Sequence, residues 1–235
     1  MSQEERWKQP VTSILNEHMN TPPDTTIPDR SRSTLLARGI ALEYFTIGYN
    51  TLEALVAIGA GILAGSVALI GFGFDSVIEI AAGATLLWRL KRESHIGAAI
   101  SEDEHTSLER KALLIIGLTF FALSAYIAIE AGYRLLTGGG AEESTTGIIL
   151  AAASLIIMPV LAFLKHRTAR GLRSKALEAD AMETWVCSYL SLVLLAGLGL
   201  NAALGWGWAD PLAALAMLPL VIREGWEALE EAREE

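Results

Sequence analysis

The chain has 235 residues, 52% of them hydrophobic and 19% charged, with a mean hydropathy of +0.39 and a formal net charge of −9. That charge excludes a nucleic-acid partner, because no basic stripe is available to meet phosphate. A single cysteine, Cys187, excludes an internal disulfide framework.

Residues 1–33 are polar, carry Pro10, Pro22, Pro23 and Pro28, and hold no apolar stretch. They therefore read as a disordered cytoplasmic tail and not as a signal peptide. Six apolar blocks follow, at about 42–63, 66–87, 113–136, 146–164, 179–204 and 211–222. About 20 apolar residues suffice to cross roughly 30 Å of hydrocarbon as a helix. The sixth block is short, and residues 206–210 extend it. Glycine is frequent inside the blocks, as is ordinary for membrane helices.

The charges between the blocks set the topology. Basic residues gather in the amino-terminal segment, in the second-to-third and fourth-to-fifth connections, and at the carboxyl end. Seventeen of the 18 Lys and Arg residues thus fall on one side, leaving Arg134 for the other. The connections on the other side, including Thr137-Gly138-Gly139-Gly140 and Glu142-Glu143, contain none. The positive-inside rule places both termini in the cytoplasm. Trp88 and Trp226 then mark cytoplasmic helix ends, and Trp206 and Trp208 an outer end. The expected fold is an all-α, polytopic six-transmembrane-helix bundle over residues 34–228, followed by a short acidic tail over 229–235.

Ionisable side chains inside such helices cost about 2.5–3.5 kcal/mol each at the bilayer centre on insertion scales. Several are nonetheless present. Asp75 and Glu79 lie four apart, on one face of the second helix. Glu183 and Cys187 repeat the spacing on the fifth, with Asp180 just before them. Asn50 and Glu53 lie in the first, Glu130 in the third and Asp210 at the start of the sixth. Two carboxylates one turn apart repel unless a cation sits between them. A second pair on a facing helix would complete a four-ligand cage with Asp75 and Glu79, and Glu183 and Cys187 are the candidates for it, with Asn50, Glu53 and Asp180 as accessory candidates. Oxygen and thiolate donors in a tetrahedral set suit zinc, and the sulfur also favours cadmium or cobalt.

Competing readings exist for most of these residues taken singly. A lone membrane cysteine can be a packing residue, and Glu43, Asp180 and Asp210 lie near enough to helix ends to snorkel. Glu130 can pair with Arg134 one turn away. Asp75 and Glu79 lie about ten residues into their block, where no interface is near.

The segments Gly65-Ser66-Val67-Ala68-Leu69 and Asp75-Ser76-Val77-Ile78-Glu79 resemble the second helix of the cation diffusion facilitator family. Residues 173–183, with Ala179-Asp180 followed by Glu183 and then Cys187, resemble the start of its fifth. Asn50 matches a recurrent first-helix asparagine, and Ala209-Asp210-Pro211 the start of the sixth helix. The resemblance covers about residues 35–228 and implies a metal transport domain with ligand positions at Glu183 and Cys187. Two departures stand out. The family's fifth helix usually offers His and Asp where this chain has Glu and Cys. Most members also continue past the sixth helix into a cytoplasmic ferredoxin-like domain, which the resemblance does not extend to here.

The expected function is efflux of a divalent transition metal by proton antiport, zinc first, with Cd, Co, Mn or Fe also open. The alternative is a membrane protein of the same fold that binds metal or modulates a partner without transporting. The metal is substrate, and no permanently bound cofactor is expected. Partners are the ion, protons and the lipid bilayer of the plasma (inner) membrane, with a homodimer open. No His-rich metal motif, nucleophile elbow or phosphate loop points to an enzyme. His95 and His105 flank Glu102-Asp103-Glu104 in what reads as a solvated loop; His18 and His166 also fall outside the apolar blocks.

Overall fold

The computed structural model describes residues 29–96 and 106–234. Most of the expected tail, together with His18, His105 and the run Glu102-Asp103-Glu104, lies outside the described residues. The chain divides into two compact units, Met1–Thr34 and Leu35–Glu235. The described part of the first is the opening of a helix, and the second is the bundle.

Every described element is a helix: α1 (Asp29–Ala64), α2 (Val67–Ile96), α3 (Thr106–Thr137), α4 (Thr145–Leu172), α5 (Lys175–Leu204) and α6 (Ala209–Glu234). Each of the six apolar blocks maps onto one helix, the second starting one residue ahead of α2 at Ser66, and the helices outrun them. Basic residues expected in the fourth-to-fifth connection, Lys165, Arg167 and Arg170, are helical, and only Arg173 and Ser174 separate α4 from α5. Arg173 adopts a left-handed backbone (φ 56°), and Ser174 accepts a hydrogen bond from Leu177 N. That pairing of a left-handed residue with a serine N-cap ends one helix and starts the next within two residues.

α1, α2, α4 and α5 each contain a stretch long and apolar enough to cross a membrane. α6 has an uninterrupted apolar run only from 211 to 222, bounded by Asp210 and Arg223. It packs along α3, while α4 packs along α5, and α2 touches α3, α5 and α6. Small residues permit these approaches. A Cβ at Gly225 would stand 2.8 Å from Phe120 Cβ on α3, and one at Gly197 2.5 Å from Ala213 Cβ on α6.

The distribution of polarity is inverted relative to a water-soluble protein. Leu55 and Ile156 are 71% and 70% exposed, whereas Glu43, Asn50, Glu53, Lys165 and Asp210 are wholly buried. An apolar exterior around a polar interior is the arrangement that a hydrocarbon solvent favours, since isolated charges are far costlier than leucine at its surface. The structure is a helical membrane bundle.

One end of the bundle, the loop end, carries the α1–α2, α3–α4 and α5–α6 connections and is tied by polar contacts. Asp210 Oδ2 accepts from Val67 N at 3.0 Å, and its other oxygen accepts from Ser66 Oγ. The carboxylate that starts α6 thus caps α2. Asp210 does not snorkel. Arg134 donates to Glu130 at 2.8 Å, the expected pair, and to the carbonyl of Gly65. Asn201 Nδ2 donates to Ala141 O at 2.8 Å, and Glu142 N to Ala64 O at 2.8 Å. The opposite end, with the α4–α5 turn, is the basic end.

Candidate metal centre

Asp75 and Glu79 project from one face of α2, and Cys187 from the facing side of α5. One donor atom from each lies within 4.8 Å of those of the other two. Asp75 and Cys187 are buried, and Glu79 is mostly covered. Metal–ligand bonds to carboxylate and thiolate run about 2.0–2.3 Å, so an ion fits between three donors at this spacing after a small adjustment of side chains.

Glu183, one turn from Cys187 toward the basic end, is half-buried and outside this close group. It is near enough to Glu79 to act on it electrostatically. Three of the four predicted ligands therefore converge, and the fourth borders them.

The accessory residues divide. Asn50 on α1 donates to Glu79 Oε2 at 2.5 Å, fixing that carboxylate. Glu53, three residues on and fully buried, accepts from Ser76 Oγ at 2.8 Å and from Ser154 Oγ of α4. Ser154 is in turn 2.8 Å from the hydroxyl of Tyr49. Asp180 does not join the group; it lies 2.6 Å from Lys165 Nζ. Glu43 is buried beside it, so neither carboxylate snorkels to an interface.

Sequence reasoning missed Ser76, Ser154 and Tyr49 as supports of Glu53, and Lys165 as a buried partner. For the α1 residues a signal did exist. Glu43, Thr46, Asn50 and Glu53 recur at spacings of three and four, and all four are buried. A polar stripe at helical period inside an apolar helix faces the bundle and not lipid. Hydroxyls along the same interior, such as Thr184 and Ser188 on α5, return hydrogen bonds to the carbonyls one turn back. A membrane helix thereby accommodates them without outside partners.

Chemically, two carboxylates and a thiol brought together inside the bundle, with a neutral amide donor bracing one oxygen, form a donor set able to take a cation. Oxygen alone would suit magnesium or manganese; the sulfur moves the preference toward softer ions such as zinc. The chain matches the cation efflux transmembrane domain over residues 44–235. It is also 28% identical over 200 residues to an uncharacterised transporter of Synechocystis sp., a stretch covering 83% of this chain and 63% of that relative. The chain thus spans a little under two thirds of that relative's length. On the strength of the matched transmembrane domain, the chain belongs to the cation efflux family.

Proposed function

We propose that the chain carries a divalent transition metal across the plasma (inner) membrane, with zinc preferred and the direction outward, in exchange for protons. The observation that carries this reading is the convergence of Asp75, Glu79 and Cys187 within 4.8 Å inside the bundle. Family membership supports cation transport in general, and the donor set supports the choice of ion.

In this mechanism the basic end faces the cytoplasm, in accord with the positive-inside rule. Metal reaches the cluster from that end and displaces protons from Asp75, Glu79, Glu183 and Cys187, because the ligands bind in deprotonated form. Asn50 holds Glu79 in place, and Glu183 closes the coordination from the cytoplasmic side. A tilt of α5 against α2 opens the cluster toward the loop end, where protons compete the ion away.

Purified protein in proteoliposomes, assayed for zinc flux with an inward proton gradient, tests this directly. Flux is expected in the wild type and not in Asp75→Asn or Glu79→Gln; wild-type flux in both variants would overturn the site. Stoichiometric zinc binding without any flux would instead favour a non-transporting metal-binding role on the same fold.

A further inference from the structure

A second cluster of buried charge lies outside the metal group. Lys165 on α4 is fully buried, with Nζ 2.6 Å from Asp180 Oδ2 on α5 and 3.3 Å from both carboxylate oxygens of Glu43 on α1. One ammonium thus serves two carboxylates that are close enough to act on each other. Oε1 of Glu43 and Oδ2 of Asp180 make ionic contact with Lys165 but accept no aligned hydrogen bond among the described residues. Buried carboxylates ordinarily collect such donors, and a charge left short of them is expensive. The group is therefore a buried set of two carboxylates around a single ammonium.

Its position gives it a role. Glu43 and Asn50 are seven residues apart, two turns or about 10 Å along α1, with buried Thr46 between them. On α5 the buried Asp180, Thr184 and Cys187 follow the same interior line. The charged group and the metal group thus stand at two levels of one polar column. Toward the basic end the column is covered by Leu36, Leu86, Leu90, Ala169, Leu172 and Leu177, which pack together from α1, α2, α4 and α5.

We infer that Glu43 and Asp180 form a second divalent-cation site on the path to the metal centre, held in this structure by the Lys165 ammonium, which an arriving ion displaces. This rests on the reading that the chain carries a divalent cation. Two carboxylates match a charge of +2, whereas the ammonium supplies only +1. Lysine suits the task because its charge sits on a flexible four-carbon stem that can withdraw toward the basic end; the planar fork of arginine would hold both carboxylates. With Lys165 in place α1, α4 and α5 are pinned together. An ion that takes its place exchanges one pin for another and has moved one level deeper.

The test uses the full chain in detergent, stripped with chelator and equilibrated with Zn²⁺, with bound metal counted per chain. The wild type is expected to hold one ion, Lys165→Met two, and Lys165→Met combined with Glu43→Gln and Asp180→Asn one again. Folded Lys165→Met that binds no more zinc than the wild type overturns the inference. Should Lys165→Met fail to fold, acetylation of wild-type Lys165 is read by mass spectrometry against the exposed Lys175. Saturating Zn²⁺ is expected to raise it severalfold over the chelated protein, and an unchanged ratio overturns the inference. The two sites are separable: Glu79→Gln in the Lys165→Met background should keep the shallower ion. Loss of the extra ion alone refutes the second site, whereas an undiminished count in Glu79→Gln refutes the deeper one.

Discussion

Asn50 on α1 donates a 2.5 Å hydrogen bond to Glu79 Oε2 on α2, while its own Oδ1 is buried with no hydrogen-bond partner among the described residues. The amide therefore braces a proposed ligand and leaves an oxygen in reserve beside it. Groups that orient a metal ligand commonly contribute 10–100-fold in affinity, so Asn50→Leu is expected to raise the zinc dissociation constant about 10–100-fold. Competition with a zinc-binding dye measures it, and an unchanged constant would separate Asn50 from the site.

Cys187 is fully buried and is the one soft donor in the cluster. Cys187→Ser replaces it with a hard oxygen of similar shape, so it should lower affinity for cadmium and zinc far more than for manganese. A panel of metals assayed side by side reads this as a change in rank order. Equal losses across the panel would make Cys187 a packing residue.

Glu53 is outside the close group of donors, yet its carboxyl accepts hydrogen bonds from both Ser76 and Ser154. Ser154→Ala strips one partner from a buried polar group and should cost about 1–3 kcal/mol of stability. Thermal unfolding in detergent reports it. Tyr49→Phe, which removes only the next hydroxyl along, should cost less.

Close helix contact gives a prediction with its own control. At Gly197 an added Cβ meets Ala213 Cβ at 2.5 Å, whereas at Gly199 it meets nothing within 4 Å. Gly197→Ala should destabilise the α5–α6 contact by about 1–3 kcal/mol, the usual cost of overpacking. Gly199→Ala should be neutral or slightly stabilising, because alanine is the better helix former.

Much of this architecture was legible in the residues, for a physical reason. Long apolar blocks and the segregation of Lys and Arg are properties of single segments, and they marked all six described helices. Asp75 and Glu79 stood out because nothing near the middle of an apolar helix excuses two carboxylates. The helix ends were less legible: charged turns such as Lys165 to Arg170 end a membrane block without ending a helix. The group of Glu43, Lys165 and Asp180 was illegible altogether. Each lies where a lone charge can reach an interface, and only packing of three helices shows that they reach each other. Asp210 followed the same course; resemblance marked its position, but its role as the cap of α2 depends on a residue 143 positions away.

The two-residue turn at Arg173 and Ser174 joins α4 and α5 into one stiff hairpin. Cys187 and Asp180 ride on one arm, Lys165 and Ser154 on the other, while Asp75 and Glu79 belong to α2 outside it. Bond lengths at a metal tolerate only about 0.2 Å of error. A sub-ångström slip of the hairpin along α2 would therefore be enough to break a metal bond to Cys187 at the proposed centre, and it would shift the Lys165–Glu43 distance in the same stroke. An ion bound at the proposed centre would thus act as a vernier on the hairpin's position, and a spectroscopic ruler between α2 and α4 should then read metal occupancy without touching a proposed ligand.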